Sequence, residues 1–299
     1  MDSHYSRLVA VALVVVAAAA SLALTACGDD DEPAARQSVP EEATHRDFDS
    51  DNFDDGAQVD NKWHPLAPGT QWIYEGRSNR GFGRLPHRVI FTVTDLTKEV
   101  NGVESVVLWD RDINAGKLLE GELAFHAQDN DGNVWLMGEY PEEYEQGKVA
   151  GAPDTWLAGV GDARAGVLMR ADPRVGTSSY RQGLVPSIEF GDVAKVIKTG
   201  ARNCVPTGCY DNVLVTDETN PYEEADGHQL KYYAPGVGNI RAAPRGGKEK
   251  EVLVLIDVRK LGPKALARVR REALELDKRA YRVRKDVYGR TPPAQQRAG

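Results

Sequence analysis

Arg88-Val89-Ile90-Phe91-Thr92-Val93-Thr94 puts Val89, Phe91 and Val93 on one face, and Asn101-Gly102 downstream supplies the positive-φ residues of a tight hairpin. The return strand is read over residues 104–112, with Val107 and Trp109 on one side. A period of two bounded by such a turn marks antiparallel β-structure, and the pattern recurs along the chain. Asn114-Ala115-Gly116 and Asp131-Gly132 are two further turns, around strands at 123–127 and 133–137. More strands are read at 166–170, 178–182, 192–198, 212–216, 229–233 and 251–257. The last is apolar on both faces and needs cover on each. The expectation is a mainly β protein: a single curved antiparallel sheet or half-barrel, one domain over residues 61–261.

After the last strand the period changes. Pro263 suits the first turn of a helix and Gly289 its end, predicting a helix over 262–289. Leu266, Val269, Ala273, Leu276, Ala280, Val283 and Val287 form one apolar stripe, opposite Arg268, Arg270, Arg271, Lys278, Arg279, Arg282 and Lys285. Three roles fit: packing on the sheet with a solvated basic face, pairing with a protein partner, or docking on anionic lipid. Residues 290–299 read as a disordered tail.

The other end of the chain speaks of location. Residues 8–24 are an apolar run preceded by Arg7, and Leu24-Thr25-Ala26-Cys27-Gly28 follows it. This resembles a bacterial lipobox, which predicts a signal peptide over 1–26 and a mature protein beginning at a lipid-modified, palmitate-bearing Cys27. The rival readings are an uncleaved membrane helix, for which the run is just long enough, and an ordinary secretory signal. Residues 28–60 hold twelve acidic side chains against Arg36 and Arg46, which accounts for the whole negative excess of a chain with formal charge −8. Residues 27–60 are accordingly read as an acidic, disordered tether. The remainder is near neutral, and charge and compartment together argue against nucleic acid as a partner.

Two cysteines remain. Cys204 and Cys209 flank Val205-Pro206-Thr207-Gly208 and are expected to form a disulfide in an exported protein, closing a loop worth about 2 kcal/mol. A metal site is the alternative, but no third ligand lies nearby in sequence.

No nucleophile elbow, zincin motif, phosphate loop or dinucleotide fingerprint occurs, and no cofactor is expected. The histidines are scattered; His126 lies in an alternating strand, on the face opposite Phe125. Asp129, Asp131 and Asn133 alternate like half a calcium loop, yet Gly132 is misplaced for an EF-hand, and a hairpin turn explains the same residues. Glu139, Glu142, Glu143 and Glu145 cluster around Pro141 and are read as a solvated turn. Paired carboxylates there would instead suit hydrolysis of an envelope polysaccharide.

Pro65-Leu66-Ala67-Pro68-Gly69-Thr70-Gln71-Trp72-Ile73-Tyr74-Glu75-Gly76, the Asp129-Asn130-Asp131-Gly132-Asn133-Val134-Trp135 hairpin and Tyr232-Tyr233-Ala234-Pro235-Gly236-Val237-Gly238 resemble motifs of a group of uncharacterised bacterial envelope lipoproteins. More loosely the pattern is similar to the half-barrel lipoprotein carriers. The resemblance spans residues 61 to about 240 and implies a curved antiparallel sheet and no reaction. A non-catalytic envelope protein follows as the expectation, tethered to the membrane through Cys27. It would bind a lipid or other apolar ligand on a concave face, with Trp72, Trp109, Phe125, Trp135 and Tyr232 as candidate lining residues. Ordinary core packing is the competing role for all five.

Overall fold

The computed structural model describes residues 46–79, 84–247 and 251–297. The signal peptide, Cys27 and the first part of the predicted tether lie outside these residues. One antiparallel sheet dominates. Its first half is built from β1 (Thr70–Asn79), β2 (Arg84–Val100), β3 (Val103–Asn114), β4 (Lys117–Gln128) and β5 (Val134–Glu145), which pair in sequence order. The short strands β6 (Lys148–Gly151) and β7 (Trp156–Leu157) add to β5, as does β8 (Arg164–Met169). After β9 (Tyr180–Arg181) and β10 (Gly183–Leu184) comes a second meander: β11 (Val193–Val205), β12 (Gly208–Thr219), β13 (His228–Ala234), β14 (Gly238–Arg245) and β15 (Val252–Lys260). Pairing of β15 with β1 joins the two meanders.

The hairpins form where the turn chemistry placed them. Asn101 and Gly102 have φ of 49° and 80°, and Ala115 and Gly116 have 47° and 78°. The Cys204–Cys209 disulfide is present and crosses the hairpin between β11 and β12. Pro141, expected in a turn, lies instead inside β5. It pairs with Glu122 on one side, while on the other β7 reaches only Gly138 and Glu139 and β6 only residues 143–145. The missing N–H therefore falls at a gap in the ladder, the one place a strand tolerates proline.

The two ends of the sheet meet. Arg181 pairs with Val193 of β11, and Gly183 pairs with Ala165 of β8. The single segment 180–184 thus stitches one end of the sheet to the other and curls it round an interior. The approach is close: a Cβ on Gly166 would lie 2.5 Å from the Gln182 carbonyl carbon.

The outer face is covered by three pieces. Helix α1 (Pro263–Val283) lies over β2 and β4, with Val269, Ala273, Leu276 and Ala280 buried. The strand that needed cover on both faces, β15, is not among those it chiefly packs on. The predicted helix breaks at Arg284, whose guanidinium donates to the Ala152 carbonyl at 2.7 Å, and resumes as α2 (Lys285–Tyr288). Val283, assigned to the apolar stripe, is exposed, and two members of the basic face turn inward: Arg270 to Asp95 at 2.6 Å, and Arg279 to Glu142 at 2.7 Å.

The other two pieces correct expectations of disorder. Within the predicted tether, Phe48 and Phe53 pack edge-on against Trp135, and Ala57 and Val59 are buried. Within the predicted tail, Ala294 is buried and β16 (Gln295–Gln296) pairs with β2.

The sheet, α1 and the tail meet at a buried ion pair. Lys98 of β2 donates to Asp277 of α1 at 3.1 Å, to the Tyr281 hydroxyl at 2.9 Å and to the Pro292 carbonyl at 2.8 Å, while the other Asp277 oxygen accepts from the Ala294 amide. The ammonium also lies 4.4 Å from the centre of the Tyr288 ring. Removing one partner leaves the other charge buried and unpaired. Lys98→Met or Asp277→Leu alone is expected to cost about 3–5 kcal/mol in denaturant unfolding, and the double variant less than either single change.

Candidate functional site

Because cross-strand partners share a face, the interior side of the sheet can be read from its register. Trp72 of β1 faces the same way as Phe91 of β2, Asp110 of β3 and Glu122 of β4, and Leu108 the same way as Ala124 and Glu139. In the second meander Thr216 and Lys231 form a pair on the interior side. Curling brings the two groups of strands to opposite walls of a cavity of about 130 Å³. Its apolar wall includes Leu66, Trp72, Val89, Phe91, Leu136 and Leu168; its polar wall is His64, His87, Glu122, His126, Glu139, Gln229, Lys231 and Glu251. Half-buried His64, Pro65, Gln229, Asn239 and Glu251 form its more exposed side.

Two of the three motifs singled out in the sequence build this wall. The Trp72 indole donates to the Val237 carbonyl at 2.8 Å and the Tyr74 hydroxyl to the Asn239 carbonyl at 2.7 Å, so the opening motif holds the closing one. The third motif is a structural turn on the outer face. Asp129 accepts from the Asn133 amide at 2.8 Å, from Asn133 Nδ2 at 2.9 Å and from the Trp135 indole at 2.8 Å. Its lone pairs are taken by protein donors and Asp131 is paired with Arg46, which removes the half calcium loop as a cation site. Among the described residues no group of three ligating side chains converges for a metal.

The interior electrostatics follow from burial. Desolvation raises the carboxyls of Asp110 and Glu122 well above the usual range, and neighbouring carboxyls add to it. Burial lifts Glu139 to about 7, against the lowering pull of its hydrogen bond from the Trp156 indole at 2.9 Å and of Lys231. Glu139 Oε1 has no hydrogen-bond partner among the described residues. Burial also drives His64 down to about 4 and His126 well below its ordinary value; their rings lie 5.4 Å apart, and His64 Nε2 and His126 Nδ1 make no hydrogen bond of normal geometry. Lys231 is paired with Glu218 at 2.7 Å.

His87 is the exception among the interior histidines. Burial alone would lower it, but Asp112 at 3.0 Å and Glu251 at 2.8 Å outweigh that and raise it to about 9.

Of the five aromatic candidates, only Trp72 lines the cavity. Trp109 and Phe125 are on the opposite face, Phe125 against Tyr288; Trp135 lies beneath Phe48 and Phe53; Tyr232 stacks under Arg241. The glutamates around Pro141 separate as well. Glu139 enters the cavity, Glu142 is buried on the helix side against Arg279, and Glu145 is exposed. None of Glu122, Lys231, His87 or Glu251 was singled out from sequence. Their signal was present as charges at alternate strand positions, which is also the mark of a solvated face.

No family profile matches the chain, and no curated protein matches it. Two solved structures resemble it. A presumed exported protein with a YmcC-like fold from Bacteroides fragilis is 14% identical with a TM-score of 0.37, covering 67% of this chain and all of its own. A presumed lipoprotein from Parabacteroides distasonis is 14% identical with a TM-score of 0.34, covering 66% of this chain and 97% of its own. At these scores the role of the chain rests on its own geometry.

Because His87 is raised in the folded state, the stability it contributes is fully present below its unfolded value of about 6.5 and is lost as pH rises through about 9. Unfolding of the wild type and of His87→Gln is therefore expected to differ most below pH ~6.5 and to converge above pH ~9. A gap that is constant across this range would show that the ring acts by packing alone.

Proposed function

We propose that this protein is an extracytoplasmic lipoprotein, anchored through Cys27, that binds a small ligand in the cavity on the inner face of its sheet and is not a catalyst. The lipobox-like sequence and the Cys204–Cys209 disulfide support the location. The single observation that carries the binding role is a cavity lined by Glu139 of β5, His126 of β4 and His64 of the segment before β1, each with a polar atom that makes no hydrogen bond of normal geometry among the described residues. Each buried polar atom left unmatched costs about 1–3 kcal/mol, a cost that a bound molecule or ordered water relieves. The size bounds the ligand. Drug-sized molecules occupy roughly 300–1,000 Å³, so a cavity of about 130 Å³ suits a small molecule with one polar end and does not hold a whole lipid.

A second reading has one observation in its favour. Glu139, raised to about 7, shares the interior with Glu122, which burial raises well above the usual carboxyl range, and such a carboxyl pair is the equipment of acid–base hydrolysis. Incubating the protein with envelope polysaccharide near neutral pH separates the two: release of reducing ends that disappears in Glu139→Gln would establish hydrolysis.

Two measurements test the main reading. Cys27→Ser is expected to leave unprocessed precursor in place of the mature protein; unchanged processing to mature size would remove the anchor. Native mass spectrometry of the protein purified from its host is expected to show a small retained mass, lost in a Leu136→Trp variant that fills the void.

A further inference from the structure

We propose that the ligand of the inner cavity is a small organic cation, an ammonium head on a short apolar body, with the head on Glu139 and the body against Leu136 and Leu168. The inference deepens the binding role proposed above and rests on it. The argument begins with which interior charges are already matched. Lys231 is taken by Glu218 at 2.7 Å, and His87 by Asp112 and Glu251 at 3.0 and 2.8 Å. Asp110, Glu122 and Glu139 form no ion pair among the described residues. Of these, Glu139 lines the cavity with one oxygen unpartnered.

Glu139 is 6% exposed and lines the void with its Oε1 unpartnered among the described residues, and the rings of His64 and His126, which also line it, each keep a nitrogen without a hydrogen bond of normal geometry. An ammonium brings donors and no acceptor, so it matches the open carboxylate oxygen, and a ring nitrogen that carries its lone pair can accept a second bond. A carboxylate or phosphate would bring an acceptor to that oxygen and a charge of the same sign. An alcohol would donate one bond and bring no charge. The aromatic walls point the same way: Trp72, Tyr74 and Phe91 line the cavity, and ring faces attract cations when both are desolvated. A metal ion is a poorer fit, because it needs several ligating side chains and no group of three converges among the described residues, whereas an ammonium needs only the one open carboxylate oxygen.

The test uses the full chain in detergent micelles and three probes of matched shape: butylammonium, butyrate and butanol. Binding is followed by calorimetry and by the backbone amide shifts of Ala124, Gly238 and Ala242, which line the cavity. Butylammonium alone is expected to saturate these shifts, with affinity reduced at least tenfold in Glu139→Gln and also reduced in Glu122→Gln. Arg268→Gln, on the exposed outer face of α1, is expected to bind as the wild type does. If butanol or butyrate moves the same amides as strongly, the cation assignment falls and the cavity stands as a binding site. If none of the three moves them, the binding role falls with it. The comparison of probes on the wild type needs no variant to fold.

Discussion

The architecture depends on one constraint: the five residues 180–184 pair with both ends of the sheet. Arg181 is bonded into β11 and Gly183 into β8, and between them Gln182 is buried, its amide donating to the Asp192 carbonyl at 2.8 Å and its side chain to the Leu168 carbonyl at 3.0 Å. Without that stitch the two meanders would present an ordinary two-sided sheet, apolar beneath the helix and polar toward water. With it, the polar side is turned into an interior. The Glu122 and Glu139 carboxyls then share a small void with the lysine of β13, and burial raises both, as it does Asp110, and lowers the His64 and His126 rings.

The hydrophobic driving force for this arrangement comes from the outer face. Leu123, Phe125, Trp135, Tyr140 and Tyr288 are all buried there, under α1, α2 and the segment 46–59. Each fully buried large apolar side chain contributes about 1.5–3 kcal/mol, and the aromatic contacts a little more. Lys98 and Asp277 set the register of the cover: the helix, the chain after it and the sheet are each bonded to one of the two charges. Stability and chemistry are thus divided between the two faces, one apolar and fully packed, the other charged and incompletely matched.

That division explains what the sequence disclosed and what it withheld. Hairpins at Asn101-Gly102 and Ala115-Gly116 were legible because positive φ selects its residues locally. The turn at Gln146-Gly147, with φ of 51° and 77°, was not, because glutamine carries no such preference. Strand positions and the helix stripe followed from period, and the disulfide from compartment. The site did not follow. Asp110 and Asp112, and Glu120 and Glu122, alternate in the manner of a water-facing side, and only a pairing between residues far apart in sequence makes that side an inside. The aromatic residues singled out as ligand-binding candidates failed for the converse reason: Trp109, Phe125 and Trp135 are what a packed outer face needs, and that is where they are. Acidic residues 47–60 misled likewise, since composition outweighed Phe48, Phe53, Ala57 and Val59, the few apolar side chains that dock the segment.

A charged interior would be a poor way to stabilise a fold, and the protein itself supplies the comparison. Three buried carboxylates that serve the architecture are well matched: Asp129 by three donors, Glu142 by Arg279, Tyr140 and Tyr144, and Asp277 by Lys98 and a backbone amide. Glu139 is held by one donor from Trp156 and left open on its other oxygen, beside a void, with two neutral imidazoles in the same condition. Filling the void with one leucine-sized side chain would be a small change in sequence and would remove the unmatched atoms from contact with empty space. What sets Glu139 apart from those three is that its open oxygen belongs to a side chain lining a cavity, so a donor-bearing guest there would complete its bonding.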